Sequence, residues 1–473
     1  MSSSSLLSSL LGSSNATDIS SILEALTGAS TSGIDVTSAV NAAVTAAEAP
    51  ETQWEDQQAV LGSQSSALTA IQTDITNLDN DMQSLNSLTG PFSSASVTSS
   101  NSSVVTASAS SAASAGNNVV VVSNLATTAS WSSSVVASST TALPAETFTI
   151  TPADGTATTI TTDGTQTLSD LASEINSDNL GLTANVVTDS TGSRLSIVAG
   201  ESGSTSNFTV ASSDASSFGF TQSVTGVNAS LTVNGISISS ASNTVTGVLP
   251  GVTLNLLSAS PSSQVTLNVA PNTSEAASAI SQFVSDYNTA ITAVNAQFTD
   301  TDGSGEGVLS SDSTVRNLQN ELLGALSYQS TTTSSSGSKT YTNLGSLGIT
   351  VNKDGTLSLD STTLDSALEN NFSQVQNFFQ GSALNGFANS LDQQLTEFIS
   401  PSDGAFTVDL TSLSSQYTNL EDDITNFASN VISPLKTQLN SEYSQAEIAL
   451  QELPGEIKNI DAELGENNNN SSN

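Results

Sequence analysis

Apolar residues recur at a three-four spacing near both ends of the chain, whereas the long Ser/Thr/Gly-rich middle alternates in the manner of β-sheet. The first stripe, Leu68, Ile71, Ile75, Leu78, Met82 and Leu85, lays one seam along a helix and leaves that seam in need of a partner helix. A second stripe, Tyr417, Leu420, Ile424, Phe427 and Val431, repeats the spacing and is the expected partner. Trp54 and Leu61 extend the first stripe backward, with Gln57 and Gln64 at the intervening positions, where polar residues weaken a coiled coil while fixing its register. A third stripe, Ile280, Val284, Tyr287, Ile291, Val294 and Phe298, follows the N-cap signal Asn272 with Glu275 and should run beside the N-terminal helix. The last, Ala446, Leu450, Leu453, Ile457, Ile460 and Leu464, is interrupted by Pro454-Gly455 and is expected to pack as a leg helix with residues 35–49.

Between these helices the period changes. Val97 to Ala107, Asn118 to Leu125, Leu231 to Ile238, Gly251 to Leu257 and Gln264 to Val269 are β-branched and alternating, and should make one sheet domain in two parts. The gap between those parts reads as a separate unit. Thr147 to Ile150 and Ala157 to Thr161 are strands around Asp154-Gly155, Leu168 to Asn176 is a helix capped by Thr167, and Thr183 to Val187 and Arg194 to Val198 are strands around Thr191-Gly192. Leu318 to Tyr328 and Leu364 to Phe379 are further helices, with a hairpin turn at Asp354-Gly355.

The expected fold class is therefore α+β and multidomain: an antiparallel helical coiled-coil stalk made from both termini, carrying two β-rich head domains, one inserted in the other. The divisions are a flexible Ser-rich leader at 1–32, in which Ile19, Ile22, Leu23 and Leu26 form at best a short helix, and N-terminal leg and stalk helices at 33–92. The sheet head domain takes 93–142 and 225–271, and the inserted α+β domain 143–224. C-terminal stalk helices with a hairpin near 348–359 occupy 272–440, and the leg helix with its polar tail 441–473.

Charge changes the picture of partners. With 44 acidic and 6 basic residues the net charge is −38, and the basic residues are scattered singly, so the clustered cations that phosphate contacts need are missing. Nucleic acid is not an expected partner, and the same field repels an anionic membrane surface. No apolar run reaches the length of a membrane-spanning helix, and Met1 to Gly12 lacks the basic flank of a cleaved signal peptide.

Chemistry is equally restricted. With no Cys and no His, thiolate catalysis, disulfides, thiolate zinc sites and the usual general base are all excluded, leaving carboxylates. Asp300-Thr301-Asp302-Gly303-Ser304-Gly305-Glu306 begins like a calcium loop, but its twelfth position is Ser311 where a bidentate Glu is needed, so an acidic turn is expected. Asp422-Asp423 are adjacent on a helix and point apart, which suits a solvated face better than acid-base work. A glycosidase would need two positioned acids and aromatic sugar platforms, and aromatics are only 4%. No catalytic, cofactor or metal residues are expected. Trp54 suits helix packing; Trp131 is open between surface and core. An acidic extracellular adhesin is the alternative reading, but it leaves the matching terminal seams unexplained.

The organisation resembles the bacterial flagellar filament cap family, also called the hook-associated protein 2 family. Gly33-Ile34-Asp35-Val36 is similar to that family's opening, and Leu347-Gly348-Ile349-Thr350 followed by Lys353-Asp354-Gly355-Thr356-Leu357-Ser358-Leu359-Asp360 resembles its C-terminal signature. Phe148 to Gly200, with Leu171-Ala172-Ser173-Glu174-Ile175-Asn176, looks like the insertion motif of hook and flagellin-associated proteins, and Gly251 to Leu256 fits the start of the family's C-terminal region. The resemblance implies a homo-oligomeric ring of about five or six subunits at the distal flagellum end. It also implies flagellin and hook-filament junction proteins as partners and an export chaperone. Export would run through the flagellar type III channel without a cleaved signal, and adhesion would be a secondary property of the head.

Overall fold

The computed structural model describes residues 36–153, 155–299, 307–330 and 341–469, a mixed helix and sheet chain with several antiparallel sheets. It opens with α1 (Val36–Ala47) and α2 (Ala49–Asn86), followed by β1 (Ala95–Ser99), β2 (Val105–Ala109), β3 (Gly116–Asn124) and β4 (Ser130–Ser133). Next come β5 (Thr147–Thr151), β6 (Thr158–Thr161), α3 (Leu168–Ser177), β7 (Leu182–Asp189), β8 (Gly192–Ala199), β9 (Thr209–Ser212) and β10 (Phe220–Val224). Strands β11 (Ala229–Val233), β12 (Ile236–Ser240), β13 (Thr244–Leu249), β14 (Val252–Leu256) and β15 (Val265–Pro271) lead into α4 (Thr273–Asn295) and α5 (Ser313–Ala325). The chain continues through β16 (Ile349–Val351), β17 (Leu357–Leu359), α6 (Ser361–Gln380), α7 (Phe387–Ile399), α8 (Ala405–Phe427) and α9 (Ser433–Asn469). The leader, the Gly33-Ile34-Asp35 motif, the acidic turn Asp300 to Glu306 and residues 470–473 lie outside the described residues, as do the side chains of Leu450, Leu453, Ile457, Ile460 and Leu464.

Two β-rich cores form, each from strands distant in sequence. In the first, the sheet β1-β15-β3-β11-β12 faces the sheet β13-β14-β2 across Val105, Val120, Val122, Leu231, Leu254 and Leu267. Asn234 and Gly235, with φ of 51° and 82°, turn β11 into β12 by the left-handed two-residue link that matches strand twist. The second core gathers Phe148, Ile150, Leu168, Leu171, Ile175, Leu195, Ile197 and Phe218 between the sheets β10-β4-β8-β7 and β6-β5-β9 and the helix α3. Thr167 caps α3 as expected: its hydroxyl accepts from the Asp170 N–H (3.3 Å) and its own N–H donates to the Asp170 carboxylate (2.9 Å).

The strand β4 belongs to this second core, although it precedes residue 143, where the sequence placed the start of the inserted unit. Serines dilute its pattern to one tryptophan, so alternation alone did not mark it. The chain enters and leaves the second core side by side. The Thr127 N–H donates to Val227 O (3.0 Å), and Thr127 Oγ1 donates to Thr225 O (2.7 Å). A similar pairing joins the first core to the helices, where the Asn272 N–H donates to Ser94 O (2.9 Å) and the Asn272 side chain caps α4 by accepting from the Glu275 N–H (3.2 Å).

A helical core is organised around α2, with α4, α7 and α8 against it and α5, α6 and the β16–β17 hairpin completing it, while α1 packs with the start of α9 in a smaller core. At 38 residues α2 spans about 57 Å. Pro50 sits in its first turn, where its missing N–H has no intrahelical partner to lose. The hairpin turns at Asp354-Gly355, and Gly355 is needed twice over: its φ is +83°, and a Cβ there would stand 2.6 Å from Leu323.

Candidate assembly interface

The seam of α2 meets different partners in its two halves. Leu68, Ile71, Ile75, Leu78, Met82 and Leu85 are at most 1% exposed, packed in one core with Ile280, Val284, Tyr287, Ile291 and Val294 of α4 and with Phe387, Leu391 and Leu395 of α7. Phe298 continues the α4 stripe past the helix end, half-buried, with the Arg316 guanidinium 4.6 Å from its ring centre. The partner expected for Leu68–Leu85 was the stripe Tyr417 to Val431, but α7 and α4 occupy that place. Sequence reading passed over α7, although Phe387, Leu391, Leu395 and Phe398 carry its spacing and all four are buried.

Helix α8 runs antiparallel to α2, which carries the second stripe toward the N-terminal part of α2. Trp54 and Phe427 meet edge to face at 5.4 Å, and Asp56, Gln57, Val60 and Leu61 share a groove with Gln416, Asn419 and Leu420. Here the seam is open. Leu420, Ile424 and Phe427 are half-buried, while Tyr417 is 40%, Val431 45% and Val60 52% exposed. A π-helical turn, Ala428–Ile432, joins α8 to α9, and its wider winding shifts the inward position by one residue. Ile432, not Val431, is buried against Val40, Val44 and Ala47 of α1.

Among the described residues α1 packs against Phe427, Ile432, Leu435, Leu439 and Tyr443; of the leg stripe expected to meet it, Ala446 is exposed and the other side chains lie outside the described residues. The backbone of α9 also runs on through Pro454-Gly455 without the expected interruption.

Buried polar groups pin the closed half. The Gln380 amide, 5% exposed, donates to Leu85 O (3.1 Å) and Ser87 O (3.0 Å), covering carbonyls that the end of α2 leaves without helical partners. Tyr287 donates its hydroxyl to Leu322 O (3.2 Å), and burial raises its pKa. Gln64, half-buried just before that half, donates to Val308 O (3.1 Å). Two aspartates on α2, Asp79 and Asp81, face carboxylates on α7 and α4. Asp79 is buried in phase with Ile75 and Met82, a position that the apolar stripe does not reveal because the residue is charged.

None of this arrangement composes a reaction centre. Among the described residues no group of three or more acidic side chains is gathered to hold a metal ion, and no helix is long and apolar enough to cross a membrane. Asp422 and Asp423 are exposed on α8. Trp131, left open by the sequence, lies half-buried on β4 with its indole N–H donating to Phe208 O (2.8 Å), which makes it part of the second core. The open groove between α2 and α8 can bury further apolar surface.

The C-terminal model of the flagellar hook-associated protein 2 family matches residues 226–454, its N-terminal model residues 32–129, and the flagellin hook IN motif residues 147–201. Flagellar hook-associated protein 2 from Escherichia coli O157:H7 and that from Escherichia coli strain K12 are each 35% identical to this chain over 329 residues, covering 64% of it and 68% of their own length. The crystal structure of the D1-D2-D3 domains of the flagellar cap protein FliD from Escherichia coli is similar over 74% of this chain and 99% of its own, with 28% identity and a TM-score of 0.55.

Proposed function

This chain belongs to the flagellar hook-associated protein 2 family, a family of structural cap proteins and not of enzymes, and on that premise we propose how its parts divide the work of capping a filament. Its place is the flagellum tip, where it works with flagellin. Copies of the chain associate as a ring of about five or six subunits. The helices from both termini form the stalk and legs directed at the filament, and the two β-rich cores form the head, one domain inserted in the other. The ring keeps flagellin monomers from escaping and promotes their insertion beneath it.

The observation that carries this reading is the contrast along α2. Its Leu68–Leu85 half is closed within the subunit, while the groove it shares with α8 leaves Val60, Tyr417 and Val431 partly open to a neighbour. Support for the inserted head domain comes from the junction at Thr127 and Val227, which matches the places where the N-terminal family segment stops, at 129, and the C-terminal one starts, at 226. The insertion is accordingly drawn at 127–226. Export by the flagellar type III route with a chaperone, contact with hook-filament junction proteins, and adhesion by the exposed head complete the proposal. Negative-stain imaging of the purified full-length protein tests its centre: rings with protruding legs are expected, and a monodisperse monomer at high concentration overturns it.

A further inference from the structure

Within the helical core α2 presses two carboxylates against two others. Asp79 is 5% exposed; Gln83 Nε2 donates to its Oδ2 (2.7 Å), while its buried Oδ1 accepts no hydrogen bond and the carboxyl lies within hydrogen-bonding reach of Asp392 on α7. Asp81 repeats the arrangement on another helix. Its Oδ2 is buried and accepts no hydrogen bond, its carboxyl reaches Asp286 on α4, and Gln282 Nε2 donates to both oxygens of Asp286 (3.0 Å each). Two ionised carboxylates in such contact repel, and each pair lacks one hydrogen-bond donor. A single proton per pair supplies that donor and removes the repulsion.

Among the described residues no cation does this instead. Asp74 on α2 adds a negative charge near Asp286, and α8 brings Asp409, whose Oδ2 is also buried without a partner. Asp365 and Glu369 of α6, Glu397 of α7 and Glu321 of α5 are exposed, and the short helix Pro91–Ser93 has nothing titratable. The basic residues of neighbouring elements, Arg316 and Lys353, lie by Phe298 and Asn295 at the far end of α4, about 13 Å along the helix from Asp286. A divalent ion takes six or more oxygens, whereas each pair offers two carboxylates flanked by amide donors.

We infer that Asp79–Asp392 and Asp81–Asp286 are proton-sharing clamps that fasten α2 to α7 and α4 in a mildly acid medium and loosen as the medium turns alkaline. Burial first, and then the facing carboxylate, push Asp79 up to about 6 and Asp81 up to about 7, from 3.8. Because the unfolded chain loses these protons near 3.8, their contribution is full below about pH 4 and is lost as pH rises through about 6 and 7.

The test is thermal unfolding of the full chain between about pH 5 and pH 8 in high salt, which screens the general repulsion of an acidic protein. Wild type should lose on the order of 5 °C in its midpoint over that range. An Asp79→Asn/Asp81→Asn variant, whose amides donate permanently, should lose less than half as much and be the more stable at the alkaline end. An Asp422→Asn/Asp423→Asn control, which removes the same charge from an exposed face, should track wild type. Equal slopes in the two variants overturn the inference. So does calcium or magnesium that stabilises wild type at alkaline pH as much as acid does but leaves the Asp79/Asp81 variant unmoved, since the pairs would then hold a cation. Carboxyl-carbon NMR of wild type gives a reading independent of any variant: two aspartates titrating above about pH 5.5 are expected, and their absence refutes the clamps.

Discussion

The two halves of α2 carry similar apolar spacing and reach opposite outcomes. From Leu68 to Leu85 the seam is closed by α4, α7 and the start of α8, where Phe406 is buried in the same core, and every stripe residue is buried. From Trp54 to Leu61 it meets α8 among the described residues, and the facing residues from Tyr417 to Phe427 remain half open. The difference is the number of neighbours. A helix bordered by several others buries its stripe completely, each large side chain contributing roughly 1.5–3 kcal/mol, while a two-helix contact always leaves flanks in water. On the function proposed above, the closed half would hold the subunit together and the open half would meet other subunits.

The strongest way to break that division is to place a charge in each half. Ile75→Asp buries an unpaired carboxylate and should destabilise the helical core by on the order of 3–5 kcal/mol, abolishing capping. Tyr417→Asp should change subunit stability by less than about 0.5 kcal/mol, yet reduce ring formation and leave flagellin monomers in the medium of complemented cells. Thermal melts, ring imaging and swimming assays on both variants decide it. Normal motility from exported Ile75→Asp, or rings undiminished in Tyr417→Asp, would refute the respective assignment.

The stripes themselves were legible because burial on a helix leaves a three-four imprint, and the Asn272, Thr167 and Asp354-Gly355 signals were legible because caps and tight turns demand particular side chains. Pairing was not. Periodicity marks which face of a helix is buried but not against what: Leu68–Leu85 is covered by α4, α7 and the start of α8, and Tyr417–Val431 meets the part of α2 before it. Nor does a sequence show a π-helical turn, which moved the inward residue from Val431 to Ile432. The aspartates of the clamps were hidden by their type, since carboxylates in a core run against the hydrophobic pattern.

A smaller effect tests that shift of phase. Ile432 is 8% exposed against α1 and Val431 is 45% exposed. Ile432→Ala should detach α1 from the start of α9 and cost about 2 kcal/mol locally, whereas Val431→Ala should stay within about 0.5 kcal/mol. Hydrogen exchange along α1 reads the difference; faster exchange in Val431→Ala than in Ile432→Ala would restore an unbroken stripe.

The smallest effect on assembly is expected from the largest deletion. If association belongs to the open helical groove and its sheet neighbours, removing 127–226 should leave the rings intact. Thr127 and Val227 are hydrogen-bonded at 3.0 Å, so a Gly/Ser linker of two or three residues can close the gap without straining β3 or β11, and the second core leaves as a unit with its own hydrophobic residues. The first core keeps both of its sheets, because β4 through β10 pair only among themselves. Sedimentation of the shortened chain should therefore give the same oligomer, scaled in mass. Monomers that retain full helical and sheet signatures would mean that the second core supplies subunit contacts, and would move the assembly surface from the groove to the head.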